Sequence, residues 1–175
     1  MDSEGMNIRS HDRWILLLPL AVILTSLCHQ SEADLQEYTG SVSFGGATMI
    51  AGVGIDHVEL QEFSDLMQQD QSAFLDRIFT AAEIAAGDQR QDRLQYFSGR
   101  FAAKEALLKA LGTGWTDQFD WKEIEVTALA SGAPDVHLRG NVLALAQSIP
   151  AGKIHLSISH TAHLALAQAV IERSS

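Results

Sequence analysis

The spacing of apolar positions changes several times along the chain, and each change marks an element. Trp14–Leu27 (WILLLPLAVILTSL) is a 14-residue apolar run behind Arg9 and Arg13. It falls short of the roughly 20 residues of a spanning helix and has the shape of the apolar region of a signal peptide. Residues 29–48 are polar and irregular and predict no element. From Met49 the pattern becomes MIAGVGIDHVEL, a strand over Ile50–Leu60 in which Gly52 and Gly54 let another backbone approach closely. Helical spacing follows over Glu62–Asp70 and Ala73–Ile78. Thr80 then caps the segment TAAEIAA, with Glu83 at the capping-box position. The linker GDQRQDR leads to a long helix, Ser98–Gly114, with Ser98 as N-cap and Gly112 and Gly114 as stops. Trp121–Leu129 alternates as a half-buried strand, SGAP (Ser131–Pro134) is a turn, and Asp135–Leu138 is the returning strand. Asn141–Ser148 is a short amphipathic helix. Lys153–Ser159 and Leu164–Ile171 are strands joined by a turn at His160–His163. Strands mixed with helices and closed by a hairpin predict an α+β domain.

The helix at Ser98–Gly114 departs from the usual surface pattern of one polar stripe. At about 100° per residue, Glu105 and Lys109 share one patch and Arg100 and Lys104 another. Phe101 and Leu108 lie between the patches, and Ala102, Ala103, Ala106 and Ala110 fill the remaining side. Such a helix is packed on more than one side. By spacing alone Glu105 and Lys109 form an i,i+4 salt bridge; a ligand is the competing reason for charge on a packed helix.

A length of 175 residues with 46% hydrophobic content fits one domain with a proper core. The net charge of −10 argues against general nucleic-acid binding. Arg77–Lys109, however, holds six basic and four acidic residues, a local excess of +2. That excess suits a phosphate-bearing ligand or an acidic protein partner. A single cysteine, Cys28, excludes an internal disulfide and a cysteine-built zinc site, and the seven histidines show no HExxH spacing.

Asp56 is the only ionisable residue in the apolar start of the first strand, where a carboxylate needs a partner. Its neighbour His57 points to the opposite face. Were Asp56 to meet Glu105 near one cation, the two carboxylates with water and phosphate oxygens would make a Mg²⁺ site. Standing alone, Asp56 reads as a turn or capping carboxylate. His160 ends IHLSISH on the face of Ile154, Leu156 and Ile158, where a lone histidine reads as structural. SxSxH does not match the GxSxG of a serine hydrolase.

The ordered set GVGIDHVEL (Gly52–Leu60), FSGRFAAKEALLKALGTG (Phe97–Gly114), WKEIEV (Trp121–Val126), SGAP and HLSISH (His155–His160) resembles the holo-acyl-carrier-protein synthases. These are the small trimeric members of the 4′-phosphopantetheinyl transferase superfamily. The resemblance runs from Met49 to about Glu172. It implies an antiparallel sheet packed around a long central helix, and transfer of 4′-phosphopantetheine from coenzyme A to a serine of an apo-acyl carrier protein. Adenosine 3′,5′-bisphosphate would be the other product. It implies Mg²⁺ held by Asp56 and Glu105, and Lys109 on the coenzyme A phosphates. Arg100 matches a family arginine near the nucleotide, and His160 matches the SxSH histidine at the coenzyme site. Asp56, Glu105 and Lys109 would carry the reaction, with Glu105 the candidate base for the serine proton. A homotrimer with active sites between subunits, an acidic carrier docking on Arg77–Lys109, and a cytoplasmic location follow from the same resemblance. Arg100 and Lys104 would serve the coenzyme or carrier surface. The chain departs from the family pattern at Ile55, where a small polar residue is usual, and at His57, where an apolar one is common.

Residues 1–48 have no family counterpart. The favoured reading is that they are a leader from a misplaced start, largely without structure, and that Met49 opens the transferase domain, residues 49–175. An export or anchoring segment is the alternative. The competing function is a non-catalytic module, membrane-tethered if residues 1–48 are native, that binds coenzyme A or a carrier without transfer. Asp56, Glu105, Lys109 and His160 occurring together argue against it.

Overall fold

Strand β1, Ile50–Glu59, opens the part of the chain that the computed structural model describes, residues 50–69 and 71–174. Three helices follow: α1 (Leu60–Gln69), α2 (Gln71–Ile78) and α3 (Ala81–Asp88). Next come the long helix α4 (Arg93–Ala110), a 3₁₀ turn at Trp121–Glu123, and strands β2 (Ile124–Ala128) and β3 (Pro134–Leu138). Helix α5 (Gly140–Ser148) and the strands β4 (Ala151–His160) and β5 (Leu164–Arg173) complete the chain. All described residues lie in one unit, Ala47–Ser175. The apolar run Trp14–Leu27 and Cys28 lie outside the described residues.

The expected α+β class is observed. An antiparallel sheet has the order β1–β5–β4, and β2 and β3 pair as a separate antiparallel hairpin. The middle strand turns Ala165, Ala167, Ala169 and Ile171 to the core, each fully buried. Its small side chains let α4 lie close against the sheet. On β1, a Cβ at Gly52 would collide with the carbonyl oxygen of Ala110, and one at Gly54 with that of Ala106. This is the close approach that the two glycines predicted. The other side of α4 meets aromatic rings. Phe101 lies 5.8 Å from Phe63 and 5.1 Å from Trp121, and Phe97 lies 4.9 Å from Phe79. The helix is therefore covered on two sides, and each fully buried Phe or Leu on it contributes about 1.5–3 kcal/mol.

The start of α4 differs from the sequence expectation. Ser98 lies inside the helix, fully buried, and its hydroxyl donates to the carbonyl of Leu94 at 2.7 Å. Burial of Tyr96 and Phe97 carries the helix one turn further back, to Arg93. Asp92 occupies the N-cap without capping, because both of its oxygens are held by Arg90 at 2.7 and 2.8 Å. The other end matches expectation. Gly112 adopts φ +80°, its N–H donates to Lys109, and that of Thr113 donates to Leu108. This is a Schellman ending, which glycine adopts without a Cβ penalty. The capping box at Thr80 and Glu83 is formed in both directions.

Candidate active site between strand β1 and helix α4

Asp56 points from β1 toward α4 and is 6% exposed, whereas His57 is exposed on the far face. Lys109, on the last turn of α4, donates to Asp56 Oδ1 at 2.7 Å. The i,i+4 spacing paired Lys109 with Glu105; its ammonium instead holds a carboxylate 53 residues away in sequence. The second oxygen, Asp56 Oδ2, is buried with no hydrogen-bond partner. Glu105 lies beside it, one helical turn before Lys109. Its carboxyl is pushed up to about 8, first by burial, then by the neighbouring charge of Asp56, with Lys109 opposing. Two carboxyl groups, one orphaned oxygen and one ammonium thus share a partly dry site. Asp56 and Glu105 fit a hard divalent cation, which would relieve both their repulsion and the unpartnered oxygen. Among the described residues no group of three or more metal-ligating side chains converges, so further ligands would be water or substrate oxygens.

Arg100 and His160 stand apart from this cluster. Arg100 lies five residues before Glu105, its guanidinium 3.4 Å from the centre of the Tyr96 ring. Its Nε is buried without a partner, and burial lowers its pKa from the ordinary arginine value. His160 is exposed at the end of β4, and across the sheet its row runs through Ala165 to Val58. Asp56 belongs to the next inward-facing row, with Ala167 and Ile158. Two strand spacings, about 10 Å, separate the two residues across the sheet. His160 instead neighbours the start of α4. Asp92 there is held below the usual carboxylate range mainly by its hydrogen bond from Arg90 and, more weakly, by the charge of His160. A cavity of about 330 Å³ opens beside this end, lined by Glu59, Gln61, Ser64, Leu94 and His163 among others. One chain therefore unites Asp56, Glu105 and Lys109, and leaves Arg100, against Tyr96, and His160, at the end of β4, apart from them.

Lys104 is not at the surface. It is 0% exposed and donates to Glu83 at 2.9 Å and to the carbonyls of Ile78 and Trp121 at 2.7 and 3.2 Å. A coenzyme or carrier role for it is thereby overturned: it is the hub of the interior, and burial lowers its pKa while Glu83 opposes. The basic excess of Arg77–Lys109 is also less open than its composition suggests. Arg90 is paired with Asp92, Arg93 with Asp88, Lys104 with Glu83 and Lys109 with Asp56. Sequence reasoning missed Tyr96 as the platform of Arg100. The signal was present, since Tyr96 and Arg100 are spaced i,i+4 on one helix.

Comparison with known proteins identifies the family. Residues 52–167 match the model of the 4′-phosphopantetheinyl transferase superfamily. A holo-[acyl-carrier-protein] synthase of Clostridium kluyveri is 44% identical over 124 residues, spanning 71% of this chain and 91% of that one. The crystal structure of the Neisseria meningitidis synthase superposes with a TM-score of 0.65 at 32% identity, over 71% of this chain and all of that one. The Bacillus anthracis synthase, solved in complex with CoA (3′,5′-ADP), gives a TM-score of 0.60 at 34% identity, over 72% and 99% of the two chains. The matched segment contains Asp56, Glu105, Lys109, Arg100 and His160. The chain belongs to the 4′-phosphopantetheinyl transferase superfamily and, within it, to the holo-[acyl-carrier-protein] synthases.

Proposed function

We propose that the protein transfers 4′-phosphopantetheine from coenzyme A to a serine of an apo-acyl carrier protein. The observation that carries this reading is the meeting of Asp56, Glu105 and Lys109 on the two motifs of the matched segment. The serine hydroxyl attacks a phosphorus of the pyrophosphate and forms a new P–O bond. The pyrophosphate P–O bond breaks, and adenosine 3′,5′-bisphosphate leaves with its electron pair. Lys109, half-exposed at the mouth of the site, offsets the charge that builds on the phosphate oxygens. Glu105 takes the serine proton, directly or through water. Asp56 and Glu105 would hold Mg²⁺, which would supply the remaining charge neutralisation of the pyrophosphate.

Arg100 and His160 bind the coenzyme in this reading, and the active protein is a homotrimer with sites between subunits. Two observations support that assembly. The five site residues do not converge within one chain. The sheet face turned away from α4 also leaves Val53 57%, Ile55 56% and Ile50 45% exposed, an apolar strip that a second copy would cover. Residues 49–175 form the transferase domain. A cytoplasmic location goes with the substrates the reading names. Among the described residues no helix is long and apolar enough to cross a membrane.

The test is a mass-shift assay. Purified protein, coenzyme A and Mg²⁺ should add one phosphopantetheine to an apo-carrier, and EDTA should stop it. Glu105→Gln and Asp56→Asn should lose transfer while remaining folded; unchanged rates in both variants would sink the site assignment.

A further inference from the structure

We propose that Lys109 is a built-in gate on the metal site: its ammonium occupies Asp56 while no divalent cation is bound, and leaves when substrate phosphate draws it away. The inference rests on the metal reading given above and adds an order of events to it.

A carboxylate as buried as Asp56 is costly without a cation. The chain supplies one that can move. Lys109 Nζ lies 2.7 Å from Asp56 Oδ1, yet the side chain is 38% exposed at the end of four methylenes. Lys104, five residues earlier, shows the opposite design: 0% exposed and fixed by three acceptors, it has nowhere to go. Lys109 holds one oxygen of Asp56 from a part-exposed position, so a cation arriving at the other oxygen meets an ammonium already on the same carboxylate. A dication and an ammonium around one carboxylate repel strongly in a site this dry. The repulsion ends when the ammonium turns to a phosphate oxygen, an acceptor of higher charge that arrives with the coenzyme. Metal and coenzyme therefore favour each other's binding, and by linkage the coupling is reciprocal. The gate keeps the site from filling with metal alone.

The experiment measures Mn²⁺ binding by electron paramagnetic resonance at one fixed pH, with no coenzyme. Wild type, Lys109→Met, Lys109→Gln and the double variant Asp56→Asn/Lys109→Met are compared, with folding of each checked by circular dichroism. Both single variants should bind Mn²⁺ about tenfold more tightly than wild type, the scale of one part-exposed ion pair acting with repulsion removed. Coenzyme A should tighten Mn²⁺ binding to wild type more than to Lys109→Met. The double variant should lose the gain. Binding to both single variants no tighter than to wild type overturns the gate; if Asp56 is then still required for the wild-type affinity, the metal reading stands without it. Retention of tight binding in the double variant overturns both.

Discussion

Asp56 and Glu105 face one another across the contact between the first strand and the long helix, and burial together with that proximity raises the Glu105 carboxyl. Glu105 holds its proton up to about 8 in the folded chain, against about 4.5 for an ordinary glutamate. Between those values the folded state binds more protons than the unfolded one, so stability falls as pH rises and levels off above about 8. Glu105→Gln cannot ionise and lacks this slope. Its melting temperature in EDTA should match wild type near pH 4.5 and exceed it by about 4 °C near pH 8. A difference that stays constant with pH would contradict the shift.

Lys104 and Glu83 form a pair from which neither partner can be removed alone. Lys104→Met or Glu83→Gln leaves an uncompensated charge in a 0% exposed position, a loss of about 3–5 kcal/mol. Urea unfolding should show it. The double variant should recover part of the loss, because no buried charge remains.

Gly54 is the close contact beneath the site. Gly54→Ala drives a Cβ into the carbonyl oxygen of Ala106, with no flexible side chain to give way. Overpacking of this kind costs about 1–3 kcal/mol, and Asp56 lies two residues further along the same strand. The transfer rate of the folded fraction should fall as well, measured well below the melting temperature.

Arg100 and His160 should separate kinetically from the reacting cluster. On the proposed coenzyme role, Arg100→Ala and His160→Ala should raise KM for coenzyme A about tenfold with kcat within about twofold. Glu105→Gln should act on kcat. A fall in kcat alone for Arg100→Ala would move that residue into the reaction.

Ile55→Asp places a charge on the exposed apolar strip of the sheet. Light scattering should report trimers for wild type and single chains for the variant, and activity should fall with the assembly. Wild type scattering as a single chain would remove the trimer from the proposal.

Much of this was legible in the residues. Gly52 and Gly54 announced a close backbone approach because only glycine tolerates it, and Thr80 with Glu83 announced a helix start because the capping box is local in sequence. The motif segments announced the family. What the sequence hid was long-range. Nothing local says that Lys109 chooses Asp56 over Glu105, since the choice depends on β1 packing against α4. Nothing local says that Lys104 is interior, because its three acceptors come from Ile78, Glu83 and Trp121. The early start of α4 was hidden because Asp92, a natural cap, is held by Arg90.

Glu83 does more than start a helix. Its carboxylate accepts the backbone N–H of Thr80 at 2.8 Å, the N–H of Val126 at 3.0 Å and the ammonium of Lys104 at 2.9 Å. The first turn of α3 cannot fray without stranding the lysine and freeing an amide of β2. Local opening of either element thus becomes opening of both together. In hydrogen exchange the amides of Thr80 and Val126, 46 positions apart in the chain, should report a single protection free energy.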